Sequence, residues 1–152
     1  MDDQVKPIGD CETLLRTDFS PIHIWDGRLL AAAITSEDLE KRGFSVDREY
    51  LVDLDIIDAR TNIQMQKAPN DRKEVWIAPF ECGPVRDEVY SEDGQPAFRV
   101  EHDPIEGNDA HAAIYSFVPR KRSGIKGLKA ILLPHLNRGL RTLDGYKAER
   151  KL

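Results

Sequence analysis

The sequence predicts an α+β domain in which an antiparallel sheet of four or five strands is packed by two or three helices. Three observations point there. Between residues 74 and 118, runs rich in β-branched and aromatic residues ("EVWIAPFECG", "AFRVEH", "AHAAIYSFV") alternate with the turn clusters "SEDGQP" and "DPIEGND", as consecutive antiparallel strands do. Apolar residues recur at helical spacing on either side of that block. The chain has 152 residues, 40% hydrophobic and 32% charged, enough for one domain with its own core.

In chain order, residues 1–18 are polar and keep no sustained period, which predicts an N-terminal arm before a domain spanning 19–143 and a polar basic tail at 144–152. In "FSPIHIWDGRLLAAAI", Ile22 and Trp25 flank Asp26-Gly27, a tight-turn dipeptide, so a strand, a turn and a short second element are expected. "TSEDLEKRG" predicts a short helix capped by Thr35, with Asp38 at the third helical position and Gly43 closing the end. In "FSVDREYLVDLDIIDARTNIQMQ" two periods compete. Val52, Leu54 and Ile56 alternate like a strand, while Tyr50, Leu54, Ile57 and Thr61 follow helical spacing. The length without glycine or proline favours a helix started by Ser45 or Asp47 and stopped before Pro69. "EVWIAPFECG" reads as a strand that "VRDEVY" pairs with, and "SEDGQP" as a hairpin turn. Ile125, Leu128, Leu132, Leu136 and Leu140 then form one helical stripe, which Pro134 is expected to break near Leu133.

Net charge is −5, unevenly divided. Residues 119–152 hold ten lysines and arginines against two acids, +8, so residues 1–118 carry −13. This division predicts a basic C-terminal segment, led by Arg120, Lys121, Arg122, Lys126 and Lys129, that meets an acidic protein partner or nucleic acid; docking on the acidic body of its own domain is the alternative. Its lack of aromatic interleaving argues against base-specific readout. No apolar run approaches the roughly 20 residues of a membrane-spanning helix, and the acidic start "MDDQVKPIGD" is unlike a secretory leader, so a cytoplasmic protein without a membrane partner is expected.

The best catalytic candidate is His111, delivered into an apolar run by the turn-rich "DPIEGND". As a general base it could be oriented by Asp103 or Asp109; it could equally finish the loop by meeting a backbone carbonyl. "HIWDGR" and "GFSVDR" add Arg28 and Arg48 as phosphate ligands and Ser45 and Asp47 as hydroxyl and carboxylate, or as helix caps, while Asn108 suits substrate binding or its own turn. The four histidines and two cysteines show no ligand spacing, so no metal is expected, and no nucleotide-cradling glycine loop calls for a cofactor.

Around "DGR", "GFSVDR" and "DPIEGNDAHAAI", residues 22–117, the chain resembles small uncharacterised bacterial proteins with an "SVD … DP…N…HA" pattern. That resemblance implies a compact α+β domain in a bacterial setting, linked to mobile or defence gene clusters, and assigns no activity. Two functions follow as expectations. One is a small cytoplasmic accessory or regulatory protein acting through its basic C-terminal segment. The other is an enzyme, transferase or hydrolase, acting on a nucleotide, NAD or nucleic acid through Arg28, Ser45, Asp47 and His111.

Overall fold

In the computed structural model, which describes residues 6–150, the stretch expected to be an arm supplies the sheet with a central strand. β1 (Thr13–Pro21) is followed by a hairpin of β2 (Ile24–Trp25) and β3 (Arg28–Leu29), a short helical turn at Asp38–Arg42, β4 (Phe44–Arg48) and α1 (Leu54–Lys67). Then come β5 (Arg72–Glu81), α2 (Cys82–Arg86), a second hairpin of β6 (Val89–Tyr90) and β7 (Gln95–Pro96), β8 (Phe98–His102) and β9 (His111–Ser116). α3 (Arg122–Arg138), β10 (Arg141–Thr142) and α4 (Leu143–Arg150) complete the described residues. The main sheet has six strands in the order β10-β5-β1-β4-β9-β8, antiparallel throughout. Residues 1–5 and 151–152, the ends of the expected arm and tail, lie outside the described residues.

Two apolar layers explain why β1 belongs in the middle. Leu14 packs with Phe44, Val46 and Ile114 beneath Ile125, Leu128, Leu132 and Leu136 of α3. Its neighbour Leu15 points the other way, joining Phe19, Val75 and Ile77 under Ile57 of α1 and Leu143 and Tyr146 of α4. A strand buried on both faces does not alternate, and Arg16-Thr17-Asp18 in its middle makes it read as polar.

Other expectations also change. The segment after Gly43 starts as a strand, because Phe44 and Val46 alternate into the α3 layer while Ser45 and Asp47 take the opposite face. α1 begins only at Leu54, capped by Asp53, whose Oδ1 accepts from the Asp55 amide at 2.9 Å. "VRDEVY" does not pair with β5; Val89 and Tyr90 pair with Pro96 and Gln95 in their own hairpin. α3 runs unbroken through Pro134: that proline and Ala130, whose carbonyl loses a donor, are both exposed, and the apolar stripe holds the helix. Thr35 caps its turn as expected, accepting from the Asp38 amide at 3.1 Å. Asp26 and Gly27 both have positive φ in the first hairpin turn. No helix among the described residues is long and apolar enough to cross a membrane.

Candidate active site in a split of the sheet

β1 and β4 pair over two positions alone, Leu14 with Arg48 and Leu15 with Asp47. Beyond these they part, and Arg16 reaches across the gap to donate to the backbone carbonyl of Ser45 at 3.0 Å. The split opens a cavity of about 320 Å³, within the size range of small-ligand sites. α1 overhangs it with Arg60 and Gln64, the 103–111 loop brings Ile105 and His111, and the chain leading to β2 brings His23.

Within this cleft Ser45 and His111 meet. Asp47 lies opposite His111 in the β4–β9 ladder, which puts Ser45 diagonally across, a distance that a histidine side chain spans. His111 Nε2 is 3.1 Å from Ser45 Oγ, and Nδ1 is 2.7 Å from the carbonyl oxygen of Asp103. A carbonyl can only accept, so Nδ1 carries the hydrogen, and in the neutral ring Nε2 is the nitrogen that can accept from the serine hydroxyl. The Asp103 carboxylate stands 3.5 Å from Nδ1, ready to stabilise an imidazolium. The turn-rich loop sets this orientation: the Asp103 amide donates to the His111 carbonyl at 2.9 Å, and Gly107 supplies the positive φ the loop needs.

Asp47 is buried and its carboxylate is occupied, accepting from Arg60 Nη2 at 2.9 Å and Asn108 Nδ2 at 2.8 Å. Asn108 in turn accepts from the Ala110 amide at 3.1 Å. Both residues therefore hold the floor and loop of the site. Arg16 is similarly matched by Asp18 through contacts of 3.0 and 3.1 Å. Arg72 differs: Nη1 donates to the Gln64 carbonyl at 2.9 Å, and no carboxylate among the described residues lies within ion-pairing distance. Three arginines and the carboxylates of Asp18 and Asp47 line the cavity, and the Asp103 carboxylate stands beside His111.

No protein-family model matches this chain, and neither does any curated protein or solved structure. The site is therefore read from its own geometry.

That geometry brings together Ser45, Asp47, Asn108 and His111 and leaves out two arginines expected to bind phosphate. Arg28 stands exposed on the first hairpin, outside the cavity. Arg48, one position from Asp47, points to the opposite face, fully buried, with Nε and Nη2 on the Glu12 carboxylate at 2.6 and 2.8 Å. That bond holds the guanidinium protonated, raising its pKa. The arginines that do line the cavity, Arg16, Arg60 and Arg72, lie in no motif; Arg16 was hidden in the supposed arm. Among the described residues no group of three or more His, Cys, Asp or Glu side chains is placed to hold a metal ion. Cys11 is exposed and Cys82 buried, both unpaired, and burial pushes the Cys82 thiol up to about 11, far from a reactive thiolate.

The basic C-terminal segment divides in two. Arg120, expected to face a partner, is folded inward: it donates to Asp93 at 2.8 Å, Ser116 Oγ at 2.7 Å and the carbonyls of Pro96 and Ala97. The tail from 144 is not free either. It forms α4, where Lys147 meets Asp58 at 2.5 Å and Arg150 meets Tyr146 Oη at 2.6 Å, and Tyr146 is buried under the sheet. Lys121, Arg122 and Lys126 remain exposed, with Lys129 beside them, and none forms an ion pair among the described residues.

Proposed function

We propose that the protein is an enzyme of phosphoester hydrolysis or transfer, acting on a nucleotide-class substrate, with Ser45 as nucleophile and His111 as general base and acid. One observation supports the reading: His111 Nε2 lies 3.1 Å from Ser45 Oγ while its other nitrogen is fixed by Asp103, inside a cleft lined by three arginines. A hydroxyl needs an adjacent base to attack at neutral pH, and the base needs a third group to orient it. As Oγ bonds to phosphorus, its proton passes to Nε2 and then to the departing oxygen. Water, deprotonated by the same nitrogen, then attacks the phosphoserine and releases phosphate and Ser45 Oγ–H. Arg16 and Arg60, held by their carboxylates, face the charge that builds on the phosphoryl oxygens. The unpaired thiols support a reducing compartment, and a cytoplasmic setting is part of the proposal.

The test is turnover of a panel of nucleotides, dinucleotides and phosphodiesters. Removal of a general base lowers rates by about 10²–10⁴-fold, so Ser45→Ala and His111→Gln should each lose activity on that scale while keeping the wild-type melting temperature. A panel left untouched by the wild type, or variants as active as the wild type, would overturn the assignment.

A second reading keeps the basic segment as a contact for an acidic partner or nucleic acid, favoured by the unpaired Lys121, Arg122 and Lys126. Cutting the chain near residue 118 cannot test it, since that removes Ile125, Leu128, Leu132 and Leu136 from the core. Charge reversal of the three cations can. Salt-sensitive retention on polyanions should vanish in the triple variant, and equal retention by both proteins removes the reading.

A further inference from the structure

We infer that the substrate of this cleft carries a second anionic group, which Arg72 holds at the end away from Ser45; the inference rests on the reading of the cleft given above. The cleft has two ends marked by its own contacts. Arg16 donates to the Ser45 carbonyl, so position 16 of β1 marks the reacting end. The Arg72 guanidinium lies over the Phe19 ring, 5.5 Å from its centroid, so position 19 marks the other. An extended strand rises about 3.3 Å per residue, so these two positions of β1, one beside each end, lie roughly 10 Å apart along the backbone.

Charge distinguishes the ends as well. At the reacting end Arg16 and Arg60 each already face a carboxylate, so they shape the site more than they attract. Arg72 has no carboxylate partner, and its Nε and Nη2 make no hydrogen bond among the described residues. The Gln64 carbonyl and the Phe19 ring hold the guanidinium in place without neutralising it. A planar fork fixed in this way is suited to a phosphate or carboxylate. The substrate class that meets both ends is a nucleotide bearing phosphates at two separated positions, or the end of a short oligonucleotide. A simple phosphate monoester reaches only one.

The test is calorimetric titration of the full chain with alkane bisphosphonates of increasing spacer length, which cannot be hydrolysed, alongside methylphosphonate as the single-anion control. Affinity should pass through an optimum at one spacer length and fall on either side of it. Loss of a charged hydrogen-bond partner corresponds to about tenfold or more in affinity, so Arg72→Gln should weaken the best bisphosphonate by that factor and remove its advantage over methylphosphonate. Arg72→Lys should recover part of the loss. Affinity independent of spacer length overturns the inference, as does an Arg72→Gln variant that binds the best bisphosphonate as the wild type does. Because these probes require no turnover, absence of catalysis on the substrate panel would remove the chemistry assigned to Ser45 while a spacer optimum lost in Arg72→Gln still upheld the anion anchor.

Discussion

Glu12→Gln is expected to destabilise the fold by about 3 kcal/mol, in the range for breaking a buried ion pair. Arg48 is fully buried, and two of its nitrogens bind the two Glu12 oxygens at 2.6 and 2.8 Å; its Nη1 has no hydrogen-bond partner among the described residues. Removing the Glu12 charge therefore leaves a guanidinium inside the protein with a neutral amide. Such losses run to about 3–5 kcal/mol, and the 12% exposure of the Glu12 side chain admits some water, which favours the lower end. For a chain of this size that loss lowers the melting temperature by about 6–12 °C. Urea denaturation at neutral pH gives the free energy directly, with an unchanged m-value expected if the sheet is intact. The double variant Glu12→Leu with Arg48→Met should regain most of the loss, because replacing a buried pair by apolar groups is commonly neutral or stabilising. A Glu12→Gln protein within about 0.5 kcal/mol of wild type, the size of an ordinary surface substitution, would refute the claim that the segment before β1 is tied to the sheet through Arg48.

Two further outcomes are expected. Gly43→Ala should destabilise by more than the roughly 1–2 kcal/mol of a left-handed backbone alone, because φ is 88° and a Cβ would sit 2.7 Å from Ala113 Cβ and 2.9 Å from Tyr115 Cζ; denaturation no different from wild type would contradict that packing. His102 has its pKa lowered, first by burial and then by the Arg48 charge. The unfolded chain thus takes up this proton at a higher pH than the folded one, and stability drops as pH falls below the ordinary histidine value of 6.5. Stability measured from pH 7 to 5 should have a shallower slope in His102→Gln than in wild type, and equal slopes would count against the burial.

The strands from 74 to 117 and the helical stripe of α3 were legible because their side-chain periods match their surroundings. β1 was not, since its two apolar faces are carried by adjacent residues and Arg16 and Asp18 lie between them in a polar split. The helix expected to start at Ser45 or Asp47 begins later for a related reason: Ser45 and Asp47 look like caps, but their partners include His111 and Asn108, more than sixty residues away. Ser45 and His111 were recoverable as candidates from residue type and loop composition. Arg60 and Arg72 were not, because their place in the cleft depends on how α1 lies over the parted strands. The charge division misled in part, since charge counted along a chain does not show which cations point inward, as Arg120 does, and which remain free, as Lys121 does.

The most direct measurement is the site and rate of covalent labelling by a fluorophosphonate, which needs no knowledge of the natural substrate. Attack by Ser45 Oγ expels fluoride and passes the hydroxyl proton to His111, leaving a phosphonylated serine that peptide mass spectrometry locates. One label per chain on Ser45 is expected, slowed by about 10²-fold or more in His111→Gln, the span of a lost general base. Labelling elsewhere, or at an equal rate without His111, would contradict an activated serine in this cleft.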